Sequence, residues 1–289
     1  SIALATNSTG NATVSNDAGL IFAASTVGGT LSATAVTGNV SDTGTQAITG
    51  AATYITQATG SNIILDDSAN TYAAQVTFKA DTGGNEAFGN LTFVDTGGIK
   101  LDADADAAGD LFIDGSTDGA VGGNLTPTSV TGNVTQGVAL AVTGTTTVTT
   151  SADDATITLN TSTNAFTGAV TLTTNDGDGT AANVTIDGGT TALVIAASTV
   201  DGDLTLTSGN VAGITDTGTL TIGGNLSATT DDNAGVVTLD SLAVDGSIAL
   251  ATNSTGNATV SNDAGLEFAA STVGGALTAT AVTGNIIDS

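Results

Sequence analysis

The residues best suited to hold a ligand form an acidic run, "DADADAAGD", which carries Asp102, Asp104, Asp106 and Asp110. Closely spaced carboxylates offer the hard oxygen ligands that Ca2+ prefers. The run lacks, however, the glycine at position six and the glutamate at position twelve of an EF-hand loop. If the run is instead a strand, side-chain alternation places its first three carboxylates on one outward face. These aspartates therefore predict either a calcium site or a solvated acidic face.

A second candidate for calcium is the turn-like segment "TNDGDGT" at 174–180, which carries Asp176 and Asp178. Glycine and aspartate at this density are typical of tight turns, and carboxylate oxygens are the ligands that calcium needs. We expect no cofactor to be required by the chain, and Ca2+ is the one ligand that its residues suggest.

Three aspartate pairs raise the question of catalysis, because two carboxylates can act as general acid and base on a polysaccharide. The pairs are Asp66–Asp67, Asp153–Asp154 and Asp231–Asp232. Adjacent residues of a strand point to opposite faces, so a sequential pair is poorly placed for joint catalysis. Corner turns explain these pairs better, and we predict no catalytic residue. A secreted polysaccharide-active enzyme stays open as an alternative function, as does a calcium-dependent glycan-binding module.

The charge balance excludes several partners. The chain of 289 residues has a formal net charge of −26, with two lysines and no arginine, histidine or cysteine. Such a chain cannot neutralise the phosphates of nucleic acid, and it disfavours an anionic membrane surface. It also lacks the run of about 18 apolar residues that a membrane-spanning helix needs. We therefore expect no nucleic-acid partner and no membrane span.

The segments that carry these aspartates are predicted to form short β-strands. Apolar runs such as "NIILD", "AQVTF" and "NLTFV" alternate with period two, and Gly, Asn, Asp or Ser separates them. Valine and threonine favour pleated strands, and helical spacing is nowhere sustained. Short strands with a turn at every corner predict an all-β fold, a parallel β-helix or β-solenoid of about a dozen rungs, each of roughly 20–25 residues.

Internal repetition supports this architecture. Residues 1–43 recur as 247–289 with six differences, and a phrase built on valine, threonine and glycine returns at 122–137 and 201–218. Tandem repetition of this kind is typical of solenoids, in which each unit contacts only its neighbours. We expect one continuous β-solenoid over 1–289, with 1–246 as one long unit and 247–289 as the start of the next copy, cut from a longer tandem array.

The differences between the two copies predict which side chains face inward. If Leu20, Phe22, Leu31 and Val40 point into the core, residues 21, 30, 32 and 41 must point outward. Four of the six differences fall at those outward positions, among them isoleucine at 21 against glutamate at 267. Because a buried glutamate would carry a heavy desolvation cost, position 21 is predicted to lie on the surface.

The segment "NDAGLIFAASTVGGTLSATAVTGNVSDTGTQAITGAATYIT" at 16–56 resembles the repeats of giant filamentous-haemagglutinin-like exoproteins of bacteria, and "SADDATITLNTSTNAFTGAVTLTT" at 151–174 resembles the continuation of that repeat. The resemblance implies a right-handed parallel β-helix that is secreted to the cell surface. It also implies a structural role, as a fibre, stalk or sheath for adhesion or contact between cells. The partners would be neighbouring copies of the repeat, in the same or adjacent chains, and cell-surface glycans or other cells.

Overall fold

The computed structural model describes residues 1–80, 89–102, 110–114, 120–175, 177, 181–231 and 234–289, with the backbone alone at 102 and 110–114. All regular structure in these residues is β, and none of them forms a helix, so the described part contains no helix able to span a membrane. The chain divides into two compact units, Ser1–Gly144 and Thr145–Ser289.

The first unit contains seventeen strands among the described residues. They are β1 (Ala12–Asn16), β2 (Leu20–Phe22), β3 (Ser25–Val27), β4 (Leu31–Ala35), β5 (Val40–Asp42), β6 (Gln46–Ile48), β7 (Ala52–Thr56), β8 (Ile63–Leu65), β9 (Thr71–Tyr72), β10 (Val76–Ala80), β11 (Leu91–Asp95), β12 (Ile99–Asp102), β13 (Asp110–Asp114), β14 (Ala120–Val121), β15 (Leu125–Ser129), β16 (Val134–Gln136) and β17 (Ala141–Val142).

The strands of the first unit stack coil upon coil. One sheet has the order β1-β4-β7-β10-β13-β12-β16, a second has β2-β5-β8-β11-β15, a third has β3-β6-β9, and β14 pairs with β17. Every pairing between these strands is parallel, as it must be when each coil repeats the path of the one before. Both β12 and β13 lie in the first sheet, between β10 and β16, whereas β11 and β15 of the second sheet pair directly. The first sheet therefore has one strand more here than regular alternation would give.

The second unit contains the remaining strands among the described residues. They are β18 (Thr146–Thr150), β19 (Ile157–Leu159), β20 (Ala165–Phe166), β21 (Val170–Thr173), β22 (Val184–Asp187), β23 (Leu193–Ile195), β24 (Ser198–Val200), β25 (Leu204–Ser208), β26 (Ile214–Asp216), β27 (Leu220–Ile222), β28 (Leu226–Thr230), β29 (Val237–Val244), β30 (Ile248–Thr252), β31 (Ala258–Asn262), β32 (Leu266–Phe268), β33 (Leu277–Ala281) and β34 (Ile286–Asp288).

The second unit follows the same plan. One sheet runs β19-β22-β25-β28-β30-β32-β34, and another runs β18-β21-β23-β26-β29-β31-β33. Strand β29 is long enough to turn a corner: its first half pairs with β26 and its second half pairs with β27, with a register shift between Leu239 and Leu242. Each unit is a stack of parallel coils, with about 11 turns in all, which confirms the predicted all-β solenoid fold class.

The core consists of aliphatic side chains with several aromatic rings among them, and strand alternation decides which side chains enter it. Leu20, Phe22, Leu31 and Val40 are at most 1 % exposed. Position 21 between the first two is 47 % exposed, and positions 30, 32 and 41 also lie at the surface. The predicted inward and outward positions are therefore confirmed. The aromatic side chains of Phe78 and Phe93 are buried as well.

The two sequence copies fold with the same register, each within its own unit. Ala12 pairs with Leu31, and their counterparts Ala258 and Leu277 pair with each other. The isolated bridge between Ile2 and Phe22 likewise recurs at positions 248 and 268. The local path of a coil is thus set by its own sequence together with the adjacent coil.

Candidate functional site: the stacked corners of the coils

The predicted acidic site lies at β12 and β13 of the first unit. Asp102 ends β12 and Asp110 begins β13, and the two strands are adjacent and parallel, with Leu101 opposite Leu111. Asp104 and Asp106 fall in 103–109, outside the described residues, as do Asp176 and Asp178 of the second candidate. The calcium interpretation of both segments therefore stays a prediction.

Elsewhere in the described part of the chain, no group of three or more carboxylate, histidine or cysteine side chains is close enough to hold a metal ion. The aspartate pairs lie between strands: Asp66 and Asp67 follow β8, and Asp153 and Asp154 occupy a turn in which Asp154 has a φ of 60°. Asp232 lies outside the described residues. The first two pairs are corner residues, as their sequence suggested.

The feature that recurs from coil to coil is a ladder of asparagines at one corner of the first unit. Each stands just before a strand of the second sheet, and its side-chain Oδ1 accepts a hydrogen bond from the backbone N–H of its counterpart in the next coil. Asn62 donates to Asn39 at 2.9 Å, Asn90 donates to Asn62 at 2.7 Å, and Asn124 donates to Asn90 at 2.9 Å. The ladder satisfies corner amides that no strand pairing reaches.

Glycine precedes three of the four ladder asparagines, and at Gly123 the contact between coils leaves no room for a side chain. The N–H of Gly123 donates to the carbonyl of Gly89 at 2.9 Å, so the two backbones are in direct contact. A Cβ on Gly123 would lie 2.6 Å from Oδ1 of Asn90, well inside van der Waals contact. In the sequence "GGN" at 122–124, glycine therefore permits the close approach of two coils, and asparagine forms the hydrogen bond between them.

The second unit builds a similar ladder with mixed residue types, just before strands β22, β25, β28 and β30 of its first sheet. Asp203 donates its N–H to Asn183 Oδ1 at 2.7 Å, Asn225 donates to Asp203 Oδ1 at 2.7 Å, and Ser247 donates to Asn225 Oδ1 at 2.9 Å. A glycine precedes each of the three donors. The recurring valine, threonine and glycine phrase is thus the sequence of a coil that begins at a laddered corner.

A second polar feature is buried in the first unit, at the ends of β5 and β9. Asp42 is 8 % exposed, and its carboxylate accepts hydrogen bonds from Nδ2 of Asn70 at 2.7 Å and from the N–H of Asp66 at 3.1 Å. Burial raises the pKa of Asp42 above its ordinary value, although the hydrogen bond from Asn70 acts in the opposite direction. Asn70 also accepts from the N–H of Gln46 at 2.7 Å, so a single network joins two adjacent coils.

Aromatic rings fill the core beside this network. Tyr54 lies 6.1 Å from Phe22 and 6.0 Å from Phe78 between ring centroids, and its hydroxyl is 3.2 Å from that of Tyr72. Burial raises the pKa of both tyrosines, because neither phenolate could be solvated there. The carboxylate of Asp95 accepts from the N–H of Tyr72 at 3.2 Å, and burial raises the pKa of Asp95 as well.

This arrangement can fix the register of neighbouring coils, because its polar groups hydrogen-bond to one another across them. Within the described residues, Oε1 of Gln46 is an exception: it is buried without a hydrogen-bond partner. The corner asparagines were expected from the turns between strands, but the buried Asp42 was not. Strand alternation from Val40 already places residue 42 on the inward face, so the signal was present. It was overlooked because a carboxylate is ordinarily assigned to the surface.

Comparison with known proteins is consistent with the repeats seen in the fold. The family model described as Repeats of unknown function (DUF5649) matches residues 9–79, 88–173 and 181–253. The three matches together cover most of the chain, and consecutive matches start 79 and 93 residues apart, a spacing of several coils. No curated protein and no solved structure matches the chain.

Proposed function

Because the chain belongs to the family described as Repeats of unknown function (DUF5649), we propose that it is a structural repeat protein of the cell surface. Its coils form part of an extracellular fibre, stalk or sheath that supports adhesion or contact between cells. Its partners are neighbouring copies of the repeat and glycans of the cell surface. We propose further that the chain is part of a filamentous-haemagglutinin-like exoprotein.

One observation carries the proposal: sequence copies that lie far apart in the chain make the same contacts. Asn11 Oδ1 accepts from the N–H of Thr30 at 2.8 Å, and Asn257 Oδ1 accepts from the N–H of Ala276 at the same distance. A coil that is defined by itself and its neighbours can be duplicated without disturbing the others. Duplication then adds length, at about 4.8 Å for each coil, which is the property that a fibre or stalk requires.

The surface chemistry supports an exposed location. The net charge of −26 favours hydration and repels anionic surfaces. Outward positions of the strands carry many threonines, for example Thr205, Thr207 and Thr229 of β25 and β28, whose side chains are partly exposed. Such a surface stays soluble at the high local concentration of a sheath.

Immunogold labelling of cells that produce the protein tests the proposal. An antibody raised against residues 1–289 is applied to intact cells and to permeabilised cells of the same culture. We expect dense labelling of intact cells, extending outward from the envelope, with little gain on permeabilisation. Labelling that appears only after permeabilisation would contradict a surface role.

A further inference from the structure

The only two cationic side chains of the sequence lie close together in the first sheet. The sequence contains two lysines and no arginine against 28 carboxylates, and the lysines are Lys79 of β10 and Lys100 of β12. Strand β13 lies between these two strands and pairs with both of them in parallel. Both lysines of the chain therefore flank β13, one on each side.

The strand register places an aspartate of β13 opposite each lysine. Lys79 is in register with Asp114, and Lys100 is in register with Asp110. On their other sides, toward β7 and β16, the register partners of the lysines are an isoleucine and a threonine, which carry no charge. Each lysine thus has one charged register partner, and in both cases that partner belongs to β13.

Strand β13 is the kind of strand that needs cationic neighbours. It begins and ends with aspartate, its first aspartate closes the acidic run, and it lies where the first sheet has an additional strand. Like charges in register on adjacent strands destabilise a sheet, whereas opposite charges stabilise it. In a chain with a net charge of −26, the field of the other carboxylates also opposes an added acidic strand. Both lysines are placed where they offset this repulsion.

We propose that Lys79 and Lys100 form an electrostatic latch that holds β13 in the first sheet, and that rising ionic strength releases it. Both lysines are partly exposed, so dissolved ions screen their interaction with the charges of β13. The same ions weaken the repulsion among the carboxylates of the rest of the chain. Salt should therefore loosen β13 without loosening the coils that contain no lysine. This conformational response does not depend on where the protein acts.

Amide hydrogen exchange of the full chain, measured at low and at high salt, tests the latch. We expect the amides of 110–114 to exchange about fivefold faster in about 1 M NaCl than in about 0.01 M NaCl, whereas those of β4 in the same sheet do not accelerate. The double variant Lys79→Gln, Lys100→Gln should show the fast exchange at both salt concentrations. The double variant Lys79→Arg, Lys100→Arg keeps both charges and should behave as the natural sequence does.

Two further variants separate the latch from a general effect of charge. Thr30→Asp adds one negative charge at an exposed position of the same unit and should leave the exchange of 110–114 unchanged. Lys79→Asp should accelerate that exchange, and the added change Asp114→Lys should reverse the acceleration, because it restores opposite charges in the same register. Equal exchange of 110–114 in the natural chain and the glutamine variant would overturn the proposal, as would equal acceleration of β4 by salt.

Discussion

The backbone N–H of Asn90 donates to Oδ1 of Asn62 at 2.7 Å, so the side chain of one coil holds the corner of the next. The same relation joins Asn90 to Asn124 and recurs in the second unit with aspartate and serine among the participants. Because backbone pairing stops at the corners, these side chains continue the hydrogen bonding around the coil. The ladder links a short sequence signal, an asparagine that follows glycine at three of its four positions in the first unit, to the stacking of coils.

Asn90→Ala should lower the free energy of unfolding by about 1 kcal/mol, because the N–H of Asn124 loses its acceptor. Gly123→Ala should cost about 1–3 kcal/mol, since the added Cβ would collide with Asn90 Oδ1. Urea denaturation monitored by circular dichroism measures both. Ser68→Ala, in an exposed turn, is the matched control and should leave the midpoint unchanged. An unchanged midpoint for Gly123→Ala would contradict the close contact between the two coils at Gly123.

Ile21→Glu should change the free energy of unfolding by less than about 0.5 kcal/mol, because the side chain is 47 % exposed and the second copy carries glutamate at the matching position. Leu65→Asp places a carboxylate at a site that is 0 % exposed, and it should cost more than about 4 kcal/mol. Thermal unfolding of the two variants separates them directly. A large loss from Ile21→Glu would refute the assignment of strand faces.

Much of this fold could be predicted because it depends on local patterns, above all the alternation of inward and outward side chains along each strand. Alternation placed Leu20, Phe22, Leu31 and Val40 in the core, and the exchange of isoleucine for glutamate marked position 21 as exposed. These inferences succeed because every strand has one buried face, and a slip by one residue would turn all of its side chains over.

The contacts between coils were harder to predict. Asp42 is separated by 24 residues from Asp66 and by 28 residues from Asn70, its two hydrogen-bond donors. The sequence does not show which coil lies beside which. The additional strand at β12 and β13 was equally hard to predict. Register between coils depends on side chains that are close only after folding.

Acidification should stabilise the chain against urea. Burial raises the pKa values of Asp42 and Asp95 above the ordinary 3.8, so the folded chain binds protons more tightly than the unfolded chain. Their contribution to stability is therefore complete below pH 3.8 and is lost as the pH rises through the raised values. We expect the urea midpoint to fall between about pH 4 and pH 7, and Asp42→Asn should reduce that fall.

The exposed Asp17 supplies the control for this pH dependence. Asp17→Asn removes the same formal charge from the net −26 but leaves the buried network untouched. If Asp42→Asn and Asp17→Asn flatten the pH profile equally, general charge repulsion, and not the burial of Asp42, controls the response.

The acidic run offers a direct test between its two interpretations. A calcium site predicts that CaCl2 raises the melting temperature of the chain more than MgCl2 at equal ionic strength. The double variant Asp104→Asn, Asp106→Asn should then lose the difference. A solvated acidic face predicts the same small effect of both salts, and the same in the variant.

The central claim is that these repeats supply length, and electron microscopy of tandem arrays tests it most directly. Chains with one, two and three copies of residues 1–246 are each followed by 247–289 and imaged under identical conditions. The account predicts that particle length increases by an equal step of about 50 Å for each copy, with a reflection near 4.8 Å along the axis. Particles that grow in width at constant length, or that lack the axial reflection, would contradict it.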